Sequence, residues 1–580
     1  MMGRQGKTNA MQYLAEARSL GHLFQLSCRH WGGKTSHIVP GNGGHRDVSF
    51  AEVYEATSRY AVILRELGLQ KGDRMVIFGE NSFEWALADW AAQSIGVVTV
   101  PIYPSLPPDQ AQYIAQDSGA KVALCGVEEL VKRLESLPGI QIYLLSEIST
   151  RAEVTTPDAE WQQSQLDQVS MDDLATIIYT SGTTGNPKGV ILTHHNFVFA
   201  VQNVIKGFPI SDEDTFFSFL PLSHVYERTD GHFLPTCVGA TVGYMQSYAT
   251  LANDFLRIRP TVMCAVPRFL EAFRGRILDG VAKQRPLQQK IFRLGLAQGV
   301  RRFKGEFAPL FWLTDKLVGE KVRARLGGCF RFFASGGAAL PPQVAEFFGA
   351  FRVLVLQGYG LTETSSGMCF NPIEDNRYRT VGMPLPGAEM KTAEDGEILI
   401  RGHWVMKGYY KLPEASAEAI DADGWFHTGD IGEKLPSGHW VITDRKKDLL
   451  VLGNGKNVAP QPIENKLKES PYIAEAVLLG DGMEYVCGLV IPDFAAVRQA
   501  LPNAPKDPAA AIEDDAVKGL IKKEVHRVNG TLANFEKLKR YKLINATFTI
   551  EGGELTPSLK VKRRVIKERF SAEIAELSRD

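Results

Sequence analysis

Long apolar runs are missing from this chain. The best, residues 95–103, is interrupted by Gly96 and Pro101, well short of the ~20 apolar residues that a membrane-crossing helix needs. The first residues, Met1 to Lys7, are polar with no apolar stretch behind them, so no secretory signal is expected. Cysteine is scarce: the seven residues at 28, 125, 237, 264, 329, 369 and 487 are scattered and form no Cys-x-x-Cys pair. That pattern argues against a disulfide framework or a cysteine zinc site and suits a reducing, cytoplasmic setting. No histidine pair with a third ligand shows metal spacing, so zinc is not expected either. An excess of charge of one sign is also absent. With 65 Lys and Arg against 66 Asp and Glu the net charge is −1, and a chain-wide basic surface for nucleic acid is ruled out.

What is present is ordinary globular material, 44% hydrophobic and 23% charged over 580 residues. A single core stops growing at ~250–300 residues, so at least two domains are expected. From about residue 50, amphipathic stretches alternate with short β-branched runs. Residues 50–67 and 84–95 have helical spacing, while 75–78, 97–100, 122–124, 174–179 and 352–356 have the composition of buried strands. That alternation predicts α/β units with parallel pairing. After Val381 the texture shifts to glycine-rich turns and short strands at 397–400, 440–442 and 449–452. The charged string Asp444-Arg-Lys-Lys-Asp448 then precedes a terminal segment with helices and strands of its own.

One local signal is chemical. Directly after the 174–179 run comes Tyr179-Thr-Ser-Gly-Thr-Thr-Gly-Asn-Pro-Lys-Gly189. Glycines let the backbone turn tightly and approach an anion, successive amides form a phosphate nest, and hydroxyls and Lys188 add donors and a charge. The spacing is not that of a Walker A loop.

Further on stand Ala334-Ser-Gly-Gly-Ala-Ala-Leu340, Gln357-Gly-Tyr-Gly-Leu-Thr-Glu-Thr364, Gly424-Trp-Phe-His-Thr-Gly-Asp430, the 444–448 string and Leu555-Thr-Pro-Ser-Leu-Lys560. This ordered set resembles the adenylate-forming superfamily of acyl-CoA synthetases, non-ribosomal adenylation domains and luciferases, from about residue 50 to 570. Three phrases look like its long-chain fatty acyl-CoA synthetases: Pro221-Leu-Ser-His-Val-Tyr-Glu-Arg228, Pro260-Thr-Val-Met-Cys-Ala-Val-Pro-Arg268 and Gly455-Lys-Asn-Val-Ala-Pro-Gln-Pro-Ile-Glu-Asn465. The ending before Lys560 lacks the glycine found in other branches, so Lys560 is matched by alignment and by the basic tail Lys562-Arg563-Arg564.

The resemblance implies a multidomain α/β and α+β fold. A large N-terminal α/β domain over 1–446 would include a β-rich subdomain at about 381–446. A hinge at Lys447 would lead to a small, mobile α+β domain over 447–580. The implied reaction has two halves: a fatty carboxylate attacks the α-phosphorus of ATP, then the coenzyme A thiol displaces AMP from the acyl-adenylate. Ser181, Gly182, Thr183, Thr184 and Gly185, with Lys188, would hold the phosphates. Thr180 and Glu363 would hold Mg²⁺ as hard oxygen ligands. Gly336, Gly337 and Ala338 would flank the adenine, with Tyr359 laid on its face between Gly358 and Gly360. Gln357 and Thr362 belong to the same nucleotide motif. Asp430 would accept from both ribose hydroxyls, assisted by Arg445, and Lys560 would bridge the carboxylate and α-phosphate. Rotation of the terminal domain would bring Gly453 and Lys456 to the pantetheine entrance. His224 and Tyr226 would line the acyl pocket; the attacking carboxylate is already ionised, so His224 is not needed as a base. The alternative acceptor is a separate carrier protein, as in fatty acyl-AMP ligases. The oligomeric state, a homodimer included, stays open.

Residues 274–325 hold five Lys and eight Arg against two Asp and two Glu, together with Phe292, Leu294, Phe303, Phe307, Phe311 and Trp312. Two readings stand side by side. One is a peripheral face resting on anionic lipid headgroups; the other is a solvated helix face with its aromatics in the core.

Overall fold

The computed structural model describes residues 13–41, 44–180, 186–247, 249–453, 456–549, 552–555 and 561–577. The chain forms two compact units, one of residues 1–390 and 400–426, the other of 391–399 and 427–580. The expected β-rich stretch at about 381–446 is thus divided between them. Among the described residues no helix is long and apolar enough to cross a membrane.

The first unit is built on two large sheets. In the seven-stranded sheet the order is Gly408–Tyr409, Lys188–Thr193, Leu174–Thr180, Val98–Ile102, Arg74–Phe78, Val122–Cys125, Gln141–Leu144. Its strands from 174–180 to 141–144 run parallel, while Lys188–Thr193 turns back antiparallel on Leu174–Thr180. The nine-stranded sheet has a parallel centre of Leu354–Leu361, Phe332–Ser335, Val262–Ala265, Thr215–Ser218, Thr241–Tyr244 and Thr35–Gly41. Strands such as Met75–Phe78 and Val98–Ile102 are buried throughout, as parallel strands covered on both faces must be.

Helix boundaries follow their capping chemistry. Helix Phe50–Glu66 starts in a capping box: the Ser49 amide donates to Glu52 Oε2 at 2.7 Å and the Glu52 amide donates back to Ser49 Oγ at 3.2 Å. Such reciprocal bonds satisfy amides that a helix start leaves orphaned. Helix Phe83–Ile95 ends on Gly96 at φ 73°, the left-handed stop that glycine adopts without a Cβ penalty. The strand expected at 352–356 starts two residues later. Arg352 sits at φ 62° and the strand starts at Leu354, because the amides of Phe351, Arg352 and Val353 still bond back to Phe348 and Gly349 at the end of helix Pro342–Ala350.

The second unit contains the four-stranded sheet Glu389–Thr392, Glu397–Arg401, Phe426–Lys434, Trp440–Arg445, whose first three strands run partly into the first unit. It also contains the three-stranded sheet Ile473–Leu479, Val486–Pro492, Leu538–Leu543. The strand period of two is visible in its cores. Ala476, Leu478, Val486 and Val490 pack with Ile463, Leu467, Val517 and Ile521 on one face. Val477, Leu479, Cys487, Leu489 and Ile491 pack with Ile544, Phe548 and Ile566 on the other. Each buried Val, Leu, Ile or Phe among them contributes ~1.5–3 kcal/mol by leaving water.

Candidate active site

In open parallel sheets, ligands bind beyond the carboxyl ends of the strands, and the motifs of the first unit gather there. Thr180 ends Leu174–Thr180 and is paired with Lys188, which opens the returning strand; its hydroxyl donates to the Lys188 carbonyl at 3.4 Å. The loop between them, with Ser181, Gly182, Thr183, Thr184 and Gly185, lies outside the described residues. The returning strand leads into helix His194–Gly207, capped by Thr193 and Asn196. His194 is a structural group: it is fully buried, accepts from the Leu20 amide at 3.3 Å, and burial pushes its imidazole down to about 4.

The short strand Gly408–Tyr409 pairs with Val190 and Ile191 and brings a residue that no motif announced. The Lys188 ammonium lies 5.1 Å from the Tyr409 ring centroid, and the Tyr409 hydroxyl donates to Glu363 Oε1 at 3.0 Å. One tyrosine thus connects the lysine of the loop to the carboxylate of the 357–364 motif. Burial, reinforced by the neighbouring Glu363 carboxylate, pushes the Tyr409 phenol well above its usual range, so it stays a donor.

Gln357, Gly358, Tyr359 and Gly360 lie along strand Leu354–Leu361, and Thr362 and Glu363 in the 3-10 turn that follows. The glycines beside Tyr359 have a packing reason of their own. A Cβ at Gly358 would run into the Phe370 ring, and one at Gly360 into the Ser366 carbonyl. Both contacts come from Ser366–Phe370, which folds back antiparallel on this strand. The Gln357 carbonyl accepts the Asn371 amide at 3.0 Å.

Gly336, Gly337 and Ala338 follow strand Phe332–Ser335. Gly336 is buried against the Tyr226 ring, Gly337 turns at φ 81°, and Gly337 and Ala338 are exposed. Tyr226 donates its hydroxyl to the Ala334 carbonyl at 2.7 Å, and the Tyr226 amide donates to His224 Nδ1 at 3.0 Å. His224 therefore spends one ring nitrogen on its own turn. Leu220, Tyr226 and Cys264 form a small apolar cluster with Phe219 and Val266. Behind it, Arg228 is fully buried and forks onto Asp89, with Nε to Oδ2 at 2.8 Å and further bonds to Thr99 and Thr176. Burial works against the Asp89 charge, but Arg228 outweighs it and holds the carboxyl down at about 2.

The second unit holds a separate group. Asp430 and Arg445 face each other across strands Phe426–Lys434 and Trp440–Arg445, with Arg445 Nε 3.0 Å from Asp430 Oδ1. Asp430 is 3% exposed and its amide donates to Thr428 Oγ1 at 3.0 Å. Asp444 accepts the Arg445 and Gln461 amides, and burial pushes it up to about 6. Lys447 is exposed in the 3-10 turn Lys446–Asp448; its neighbour Lys446 pairs with Asp395 at 2.6 Å and Glu397 at 3.0 Å. The Gly453 amide donates to the Met483 carbonyl at 2.7 Å, and Lys456 sits 4.7 Å from the Phe535 ring centroid.

Lys560 lies outside the described residues, but what brackets it does not. Leu555 and Val561 form an antiparallel bridge. Helix Arg563–Arg569 follows, anchored by Ile566 and by Arg563, whose two terminal nitrogens each reach a Glu464 oxygen at 2.7 Å.

Comparison with known proteins gives concordant results. The AMP-binding enzyme family matches residues 24–410, and the AMP-binding enzyme C-terminal domain matches 447–580. The long-chain-fatty-acid–CoA ligase FadD15 of Mycobacterium bovis is 33% identical, covering 92% of each chain. Fatty acyl-CoA synthetase A of Dictyostelium discoideum is 34% identical over 93% of this chain and 87% of its own. Among solved structures, a Mycobacterium tuberculosis fatty acyl CoA synthetase superposes with TM-score 0.66 at 23% identity, covering 96% of this chain and 99% of the other.

Proposed function

The chain belongs to the AMP-binding enzyme family, and from that premise we propose that it ligates a long-chain fatty acid to coenzyme A through an acyl-adenylate, releasing AMP and pyrophosphate. The observation that carries the reading is the chain of contacts Lys188–Tyr409–Glu363 at the strand ends, in the same unit as the Tyr226–Ala334–Gly336 wall. One unit thus supplies a cation, an anchored carboxylate and an apolar, aromatic-lined wall, the combination that a nucleotide and an acyl chain require together. Leaving pyrophosphate carries negative charge, and fixed donors and cations stabilise it without reorganising.

In this reading Lys188 and the hydroxyls of 181–184 hold the β- and γ-phosphates, and Gly336, Gly337, Ala338 and Tyr359 hold the adenine. Asp430 and Arg445 take the ribose, and Lys560 the carboxylate and α-phosphate oxygens. Thr180 and Glu363 fit Mg²⁺, since one carboxylate and one hydroxyl suit an ion held mainly by substrate phosphates. When bound, the ion neutralises phosphate charge. Tyr409 keeps Glu363 Oε1 hydrogen-bonded and so fixes its orientation. Tyr226 excludes water from the acyl side, and His224, committed to its own backbone, acts as wall rather than base. Coenzyme A is favoured over a carrier protein because the curated relatives are named as CoA ligases. Fatty-acid-dependent exchange of labelled pyrophosphate into ATP tests adenylation; exchange that ignores fatty acid would overturn it.

Peripheral membrane contact belongs to the same reading. Phe292 and Phe311 are buried, but Leu287, Leu294, Phe307, Leu310, Trp312, Leu313 and Leu317 are exposed, Phe307 by 79% and Trp312 by 66%. Lys290, Arg293, Arg302, Lys316 and Lys321 stand exposed among them. Apolar tips ringed by cations match an anionic bilayer surface. Phe307→Ser with Trp312→Ser should abolish co-flotation with phosphatidylserine vesicles, and retained flotation would return this face to solvent.

A further inference from the structure

Tyr226 of the acyl wall is followed by a π-helical segment, Glu227–Phe233, whose residues are all buried. Such wide turns are rare and frequently mark functional sites. This one reaches a strained turn. Ser365 and Ser366 have φ 61° and φ 140°, two successive non-glycine residues in the region that L side chains rarely adopt without strain. Both are buried, at 0% and 3% exposure.

Three hydroxyl groups hold them there. Thr229 Oγ1 donates to the Ser365 carbonyl at 2.8 Å, Ser365 Oγ to the Trp404 carbonyl at 2.7 Å, and Ser366 Oγ to Asp230 Oδ2 at 2.6 Å. The strained pair closes the turn that carries Glu363. Thr364 Oγ1 accepts the Leu361 amide at 2.8 Å within that turn, and the Met406 amide donates to the Glu363 carbonyl at 2.8 Å. Ser366 therefore cannot relax without moving the backbone on which the Glu363 carboxylate is mounted. Strain persists only where its surroundings over-determine it, and two of the three bonds that do so here come from the acyl-wall helix.

We propose that Asp230 and Ser366 are positioning residues: their hydrogen bond clamps the strained 365–366 turn and so sets the Glu363 carboxylate for the metal-bound nucleotide. The clamp rests on the assignment of Glu363 above. It also ties the metal-side turn to the segment that bears Tyr226.

The test is calorimetric titration of ATP onto the full chain, with Mg²⁺ and again with EDTA, which needs no turnover. Ser366→Ala removes one hydroxyl and leaves the acidic partner in place. It should cut the gain in ATP affinity that Mg²⁺ confers by about ten-fold, the worth of one buried hydrogen bond, while affinity in EDTA stays unchanged. Asp230→Asn keeps an acceptor oxygen and should stay within about three-fold of the parent, whereas Asp230→Ala should match Ser366→Ala. The double variant Asp230→Ala/Ser366→Ala should be no worse than either alone, because one bond is lost in all three. Equal loss of affinity with and without Mg²⁺, or none in either, would overturn the clamp. Because binding is read directly, a parent enzyme that binds Mg·ATP but fails fatty-acid-dependent exchange would refute the proposed reaction and leave the clamp to be judged on its own titration.

Discussion

Arg563→Met leaves the Glu464 carboxylate without its partner in a place that little water reaches. The two side chains are 17% and 9% exposed, and the guanidinium grips both carboxylate oxygens at 2.7 Å and the Leu478 carbonyl at 3.0 Å. Breaking one side of a buried pair costs ~3–5 kcal/mol, since the stranded charge keeps its desolvation cost. The residual exposure of Arg563 argues for the lower end, ~3 kcal/mol. Hydrogen exchange on the full chain reads this locally: amides of Ile473–Leu479 and Val486–Pro492 should exchange about a hundredfold faster, while the strands of the first unit keep their rates. Arg563→Met/Glu464→Leu removes both charges and should recover protection to within ~1 kcal/mol of the parent. Unchanged exchange in the single variant, or a double variant as unprotected as the single, would refute the reasoning. The same helix directly follows the Leu555–Val561 bridge that brackets Lys560, so the single variant should also lose adenylation rate.

Tyr409→Phe keeps the ring beneath Lys188 but deletes the bond to Glu363, and should raise the ATP KM about ten-fold; an unchanged KM would remove Tyr409 from the site. Asp430→Ala should raise the ATP KM by at least ~10-fold while costing under ~1 kcal/mol of stability, because its partner Arg445 is 31% exposed; a collapse in stability with KM intact would make the pair structural. Lys560→Ala should slow acyl-adenylate formation ~10²–10³-fold and spare thioester formation from supplied acyl-adenylate; the reverse pattern would contradict its assignment. Burial, only partly offset by Ser218 and the Phe219 amide, pushes Glu227 up to about 8. A carboxyl raised above its unfolded value of ~4.3 gives stability that is complete below that pH and is lost as pH climbs toward 8. Glu227→Gln should therefore melt higher than the parent at pH 8 and equal to it near pH 4.5; parallel melting curves across that range would refute the shift.

Much of the α/β core was legible because its signals are local. Helix Phe50–Glu66 advertises its Ser49–Glu52 cap, and strands Arg74–Phe78 and Leu174–Thr180 are bounded apolar runs. The glycine-bearing motifs were legible for the same reason. What escaped depends on pairing between distant segments. Tyr409 enters only because Gly408–Tyr409 adds to strand Lys188–Thr193, over 200 residues of separation that no spacing rule encodes. Asp89 and Arg228 meet across two elements, and nothing in either neighbourhood marks a buried fork. The strain at Ser365 and Ser366 was hidden because serine does not announce a positive φ as glycine does. The 274–325 stretch divided between its two readings: helical amphipathicity buries Phe292 and Phe311, yet Phe307 lies in the connection after helix Pro286–Phe303, where periodicity has no hold, and Trp312 stands exposed in helix Phe311–Thr314 beside buried Phe311.

The most direct measurement is product analysis with ATP, coenzyme A and a ladder of fatty acids of increasing length. The account predicts equimolar AMP and acyl-CoA, with kcat/KM rising as the chain lengthens because each buried methylene contributes ~0.8 kcal/mol. Acyl-adenylate accumulating without thioester, or ATP cleaved to ADP, would contradict it.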